Sequence, residues 1–276
     1  MFRRLAQAIS TNRGASAACV VIVVAAIAAA TLATAHGLLL SSGGGPPKSG
    51  AASVPSRTAS ARPAARVARP QPPAQPGITS VATLRENAPR YASPGGSQDG
   101  TIPASWYGRP SVLPVIGSQP GWVKVRLAQR PDGSVGWVPA KYVTLSSTPF
   151  RIVINLATTH LELYDDGQLA LSAPAGVGAV GDPTPTGEFF VAFDEPPPQP
   201  NPGYGPFIMV TSAHSKAISD WEGSGDAVIG IHGPLGDDSE IGTTGARISH
   251  GCIRLHDVAL VRLSEVPPGT PIDIIG

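Results

Sequence analysis

Cysteine is nearly absent: there are two in 276 residues, and Cys19 lies inside an apolar N-terminal run. Cys252 therefore lacks an intrachain partner outside that run, which excludes a disulfide framework. No CxxC or HxxxH pair occurs, so the usual spacing of a structural zinc site is missing. Charge is scarce too, at 14% Asp, Glu, Lys and Arg. Residues 1–76 contain no Asp or Glu against eight Lys and Arg, while the remainder holds twelve basic and nineteen acidic residues, a net −7. No dense Lys/Arg stripe with interleaved aromatics is present, so no nucleic-acid partner is expected. No internal repeat is visible.

What is abundant is glycine, 32, and proline, 30. Their distribution, with that of the apolar residues, divides the chain. Arg3, Arg4 and Arg13 mark a basic cytoplasmic N-terminus over 1–14. Ala15 to Leu40 form an apolar run whose one strongly polar member is His36. About 20 apolar residues at ~1.5 Å rise span a bilayer core. The basic flank points the N-terminus inward, which implies a membrane association through residues 15–40. The same stretch also reads as a cleaved signal: Ala33-Thr34-Ala35 is small-x-small, and Cys19 to Leu32 has the length of a signal core. Both readings export the rest of the chain. Residues 41–76 are a Pro/Ala/Gly-rich linker without periodic apolar residues, unable to bury enough surface to offset chain entropy.

Beyond the linker the pattern is mainly β. In residues 77–147, "ITSVATL", "SVLPVIG", "WVKVRLA" and "SVGWVPA" are short β-branched and aromatic runs. Pro120-Gly121 and Asp132-Gly133 punctuate them, as in a small barrel. Trp106, Trp122 and Trp137 are expected in its core. Residues 149–276 open with "RIVINL" and "HLELYDDGQLAL", where Asp166-Gly167 between alternating runs marks a hairpin. Pro185 and Gly187 precede the strand "EFFVAF". The proline-rich stretch Glu195 to Phe207 is a loop, with Tyr204 and Phe207 as candidate lid residues. "DAVIGIHG" is a buried-type strand ending in His232-Gly233, Asp257 is the expected N-cap of a short helix, and "TPIDII" is a final strand.

The chemistry concentrates in Ser249-His250-Gly251-Cys252-Ile253-Arg254. Metal ligation by Cys252 with His232, His250 and His256 is one reading, weakened by the missing paired spacing. Burial as core filler is another, at odds with the polar, glycine-containing context. An intermolecular disulfide is a third. A nucleophile is the fourth and best fitting. His232 can serve as its base, oriented by a carboxylate among Asp226, Asp237 and Asp238 or by a backbone carbonyl such as that of Gly233. The Gly251 and Cys252 N–H groups can bind an oxyanion. Arg254, on the same face as Cys252 in an extended stretch, can pair with a substrate carboxylate.

His232, sixteen intervening residues and then Ser249-His250-Gly251-Cys252-Ile253-Arg254 resemble the signature of the L,D-transpeptidase (YkuD-type) family, as do "TPTGEF" and "PPGTPIDI". "GWVPAKYVTL" (Gly136 to Leu145) resembles the close of a bacterial SH3-like domain. The architecture implied is a small SH3-like β-barrel over 77–147 and a YkuD-type β-sandwich catalytic domain over 149–276. By that resemblance Cys252 is the acylated nucleophile, His232 its base and Gly233 the orienting carbonyl. Ser249, His250 and Gly251 shape the pocket and oxyanion site, and Arg254 meets a substrate carboxylate. The activity implied is crosslinking of peptidoglycan stem peptides with release of D-Ala, without cofactor or metal. Carbapenem β-lactams are the implied covalent inhibitors, and the place of action is the outer face of the bacterial membrane and wall. Two other readings remain: a wall-lytic cysteine peptidase, which usually has Cys before His, and a non-catalytic wall-binding protein.

Overall fold

Alternating apolar residues build strands such as Trp122–Arg126 and His160–Asp165, and the computed structural model of the protein describes residues 77–199, 201–220 and 225–276. The basic N-terminus, the anchor or signal segment and the linker lie outside these residues. Among the described residues no helix is long and apolar enough to cross a membrane.

The first sheet draws on β1 (Thr79–Leu84), β2 (Ala88–Tyr91) and β3 (Gln98–Ile102); a separate ribbon, β4 (Ser105–Trp106) with β5 (Arg109–Pro110), interrupts the run. β6 (Val112–Gln119), β7 (Trp122–Arg126), β8 (Val135–Pro139) and β9 (Val143–Thr148) complete it. The order is β3-β2-β8-β7-β6-β1-β9, with all pairs antiparallel. Val81, Leu84, Leu113, Val123, Val125 and Val138 are buried. Trp122 and Trp137 are only half-buried, and Trp106 packs instead against a cluster of Phe193, Tyr204 and Ile208. The expectation of a tryptophan core is thus corrected: the two-residue alternation gives the inward face of these strands to Val and Leu.

The second sheet contains β10 (Phe150–Asn155), β11 (His160–Asp165) and β12 (Gln168–Pro174). After the short β13 (Val177–Gly178) come β14 (Gly187–Glu195), β15 (Ile208–His214) and β16 (Val228–His232). β17 (Arg247–Ser249), β18 (Ile253–Arg254), a five-residue helix α1 (Asp257–Val261) and β19 (Pro271–Ile275) close the chain. The order is β12-β11-β10-β19-β14-β15-β16-β18, while β13 pairs with β17. The β11–β12 turn has Asp166 at φ 45 and Gly167 at φ 74, the left-handed pair that a two-residue hairpin requires.

β14 explains how the two sheets join. Side chains alternate across a strand. Phe189 and Val191 enter the core of the second sheet, with Ile152, Met209, Ile231 and Ile272. Phe190 points the other way, into the core of the first sheet beside Ala82, Leu113 and Val125. Arg126–Glu188 at 2.6 Å and Arg130–Asp226 at 2.8 Å add ion pairs across the seam. His214, 1% exposed, has Nδ1 3.0 Å from Asp132 and Nε2 3.1 Å from Asp226.

Asp257 is not the cap of α1. His256 holds that position at φ −60, ψ 141 and makes no side-chain cap bond. The Asp257 carboxylate instead lies against the backbone of Gly205 and Gly233: a Cβ at either would come within 2.6 and 2.7 Å of its Oδ1.

Candidate active site

β16 and β18 run parallel, with Ile231 opposite Ile253 and His232 opposite Arg254. The isoleucines are buried, so the alternation turns Gly230 and His232 to the face that Cys252 approaches. Cys252 Sγ accepts a hydrogen bond from the Gly230 N–H at 3.4 Å. The thiol thus sits over the residue two places before His232 on the same strand.

His232 Nδ1 lies 2.8 Å from the Gly233 carbonyl oxygen. A carbonyl only accepts, so Nδ1 carries the proton and Nε2 keeps its lone pair. The Tyr204 ring packs edge-on against the imidazole, with centroids 4.9 Å apart. Burial lowers the His232 pKa from 6.5 to about 4; the bond to Gly233 opposes this and the positive charge of Arg254 adds to it. Burial raises the Cys252 thiol above its usual range, opposed by the Gly230 N–H and by Arg254. The resting pair is therefore a neutral imidazole and a neutral thiol, both poised in a low-dielectric site.

The turn that presents Cys252 is tied from within. Ser249 Oγ donates to the Cys252 carbonyl at 2.5 Å and accepts from the Gly251 N–H at 3.2 Å. Thr184 Oγ1 donates to the Gly251 carbonyl at 2.7 Å and accepts from the Gly178 N–H at 2.8 Å. Gly251 has φ +118, and a Cβ there would meet Ile229 Cδ1 at 2.9 Å, so only glycine fits.

A single cavity of about 80 Å³ is lined by Cys252, His232, Ser249, His250 and Arg254, with Tyr204 and Tyr107 among its other walls. Gly233 and Gly251 act from behind it through their backbone. The His250 side chain is 58% exposed and 4.0 Å from the Asp182 carboxylate. Arg254 is ion-paired with Asp237, while its buried Nε has no acceptor among the described residues. His256 Nδ1 is 2.7 Å from Asp238, turned to a surface carboxylate. Among the described residues no group of three or more His, Cys, Asp or Glu is placed to hold a metal. Of the two lid candidates, Tyr204 is 5% exposed and flanks His232, whereas Phe207 packs against the core of the second sheet. Thr184 and Tyr107 were not expected at the site. Thr184 reads as the start of a turn, and Tyr107 belongs to the β4–β5 ribbon, far from the site in sequence.

Residues 149–274 match the YkuD family model, described as the L,D-transpeptidase catalytic domain. The YkuD proteins of Bacillus licheniformis and Bacillus subtilis, both described as candidate L,D-transpeptidases, are 35% and 32% identical over 127 residues. Each match covers 46% of this chain and 66% of the relative, so the chain spans just under two thirds of those proteins. The solved catalytic domain of an E. faecium L,D-transpeptidase is 26% identical, with a TM-score of 0.34, over 46% of this chain and 96% of that one. The matched segment holds the second sheet and its cysteine–histidine cavity, and the match supports a cysteine acyltransferase. Over residues 149–274 the chain is similar to the catalytic domain of YkuD-type L,D-transpeptidases.

Proposed function

We propose that this protein is an L,D-transpeptidase that crosslinks peptidoglycan stem peptides through an acyl-enzyme on Cys252. The observation that carries the reading is the fixed tautomer of His232: its Nδ1–H is bound to Gly233, and its Nε2 is left as an acceptor in the cavity of Cys252. Cys252 attacks the carbonyl that precedes a terminal D-Ala, and the thiol proton passes to His232 Nε2 as the S–C bond forms. The imidazolium returns that proton to the departing D-Ala nitrogen, leaving a thioester. An amine of a neighbouring stem then attacks, losing its proton through His232, and the thiol is released. Splitting one amide exchange into two acyl transfers is the gain of covalent catalysis.

The oxyanion of each step is assigned to the Cys252 N–H, because the Gly251 N–H is already bound to Ser249 Oγ, and Ser249 and His250 shape the pocket. Arg254 is assigned to a substrate carboxylate. A carbapenem, as an acylating β-lactam, is expected to form a covalent adduct at the same sulfur. Residues 77–147 are proposed to be an SH3-like module, residues 15–40 an anchor, and the outer face of the membrane and wall the place of action.

The test is intact-protein mass after incubation with a carbapenem, with Cys252→Ala and His232→Ala alongside, followed by D-Ala release from a disaccharide-tetrapeptide. One adduct on wild type, none on Cys252→Ala and a slowed one on His232→Ala is expected. A folded wild type that gains no adduct and releases no D-Ala would overturn the reading.

A further inference from the structure

The cysteine cavity has a wall supplied by the β4–β5 ribbon. Tyr107 sits between β4 and β5, outside the segment matched to the catalytic family, and yet lines the cavity with Cys252 and His232. The turn holding it is Trp106-Tyr107-Gly108-Arg109, with Tyr107 at φ 49 and Gly108 at φ 74. A two-residue turn of this shape favours Asn, Asp or Gly at its first position, because a left-handed backbone crowds Cβ. A bulky aromatic there works against the turn, and such local strain persists where the side chain has a task.

The ring is also held in place. Trp106 packs on Tyr107 at 5.0 Å and on Phe193 at 5.9 Å between centroids, and Tyr107 lies 6.3 Å from Phe193. Phe193 belongs to β14, so the ribbon is clamped to the second sheet. Facing residues of the cavity include Ile218, Val228 and Leu235, while Arg254 and His250 supply its polar part.

We propose that Tyr107 is a specificity-determining residue: the β4–β5 ribbon completes the substrate cleft, and the Tyr107 ring is the surface on which the apolar stem of the donor's diamino acid lies. This rests on the acyl-transfer reading above. The role implies a contribution to binding of the peptide donor and none to the intrinsic reactivity of the thiol.

The experiment uses the full chain and compares wild type, Tyr107→Phe and Tyr107→Asn. Asn suits the left-handed turn, so relief of the backbone offsets the packing lost with the ring against Trp106 and Phe193. For Tyr107→Asn the expected result is a KM for the disaccharide-tetrapeptide raised about three- to tenfold, with kcat within about twofold. Alkylation of Cys252 by iodoacetamide is expected to be unchanged and the melting temperature equal or higher, while Tyr107→Phe keeps the wild-type KM. An unchanged KM in Tyr107→Asn overturns the proposal and leaves acyl transfer intact. A fall in alkylation and melting temperature together, with no change in KM, also overturns it by making Tyr107 structural. A wild type without turnover or carbapenem adduct overturns the acyl-transfer reading and this proposal with it.

Discussion

Replacing Thr184 with Val tests how the nucleophile turn is held. Valine has the shape of threonine, so the change removes a hydroxyl and little volume. That hydroxyl satisfies the Gly178 N–H and the Gly251 carbonyl, both buried. An orphaned buried group costs about 1–3 kcal/mol, and two orphans at partial relaxation give roughly 2–4 kcal/mol. For a protein of this size each kcal/mol lowers the melting temperature by about 2–4 °C, so a fall of roughly 4–16 °C is expected. The Gly251 carbonyl also loses its tether one residue before the thiol, which predicts carbapenem acylation slowed about tenfold. Thermal unfolding followed by circular dichroism and time-resolved intact mass measure the two effects. A Thr184→Val protein that melts within about 1 °C of wild type and is acylated within about twofold of its rate would refute the argument.

Other expectations follow from the same geometry. The unfolded His232 imidazole takes up a proton near 6.5, whereas the folded one does so only near 4. Its contribution is therefore complete above pH 6.5 and lost as pH falls towards 4, by at most about 3 kcal/mol. Denaturant titrations of wild type and His232→Gln across that window should differ in slope, and equal slopes would remove the assigned shift. Alkylation of Cys252 by iodoacetamide is expected to rise with a midpoint above the ordinary thiol value of 9.0; a midpoint below about 8 would instead indicate a resting thiolate. Gly269→Ala places a Cβ 2.8 Å from Val81 Cγ1 at φ +85. It should destabilise the fold by about 1–3 kcal/mol, measured by urea unfolding, and an unchanged midpoint would show that the seam yields freely.

Much of this was legible in the residues. Alternation marked β10, β11 and β12, and Asp166-Gly167 located their turn, because hairpins depend on local chemistry. The spacing of His232 and Cys252 pointed to one site, and β16 and β18 bring both to one cavity. What escaped depends on distant partners. β2 and β3 are short, contain Pro89, Gln98 and Asp99, and pair only through the tertiary arrangement. Thr184 looks like turn punctuation until Gly251, 67 residues on, comes to its hydroxyl. Asp257 has the chemistry of a cap, but its carboxylate is drawn to the backbone of Gly205 and Gly233. Trp106 resembles a core residue of its own sheet, and no local pattern reveals that Phe193 receives it.

Adjacent Phe189 and Phe190 feed opposite cores, and this ties the two sheets together in time as well as in space. During synthesis the first sheet leaves the ribosome with a gap the size of a phenyl ring. It must wait for residue 190, some forty positions beyond its own last strand, before its interior closes. A chain cut after Thr148 would leave that gap unfilled in one piece and present Phe190 to water in the other. Exchanging either sheet for a relative's would thus require carrying β14 along, making this strand the smallest indivisible joint for anyone rebuilding the protein.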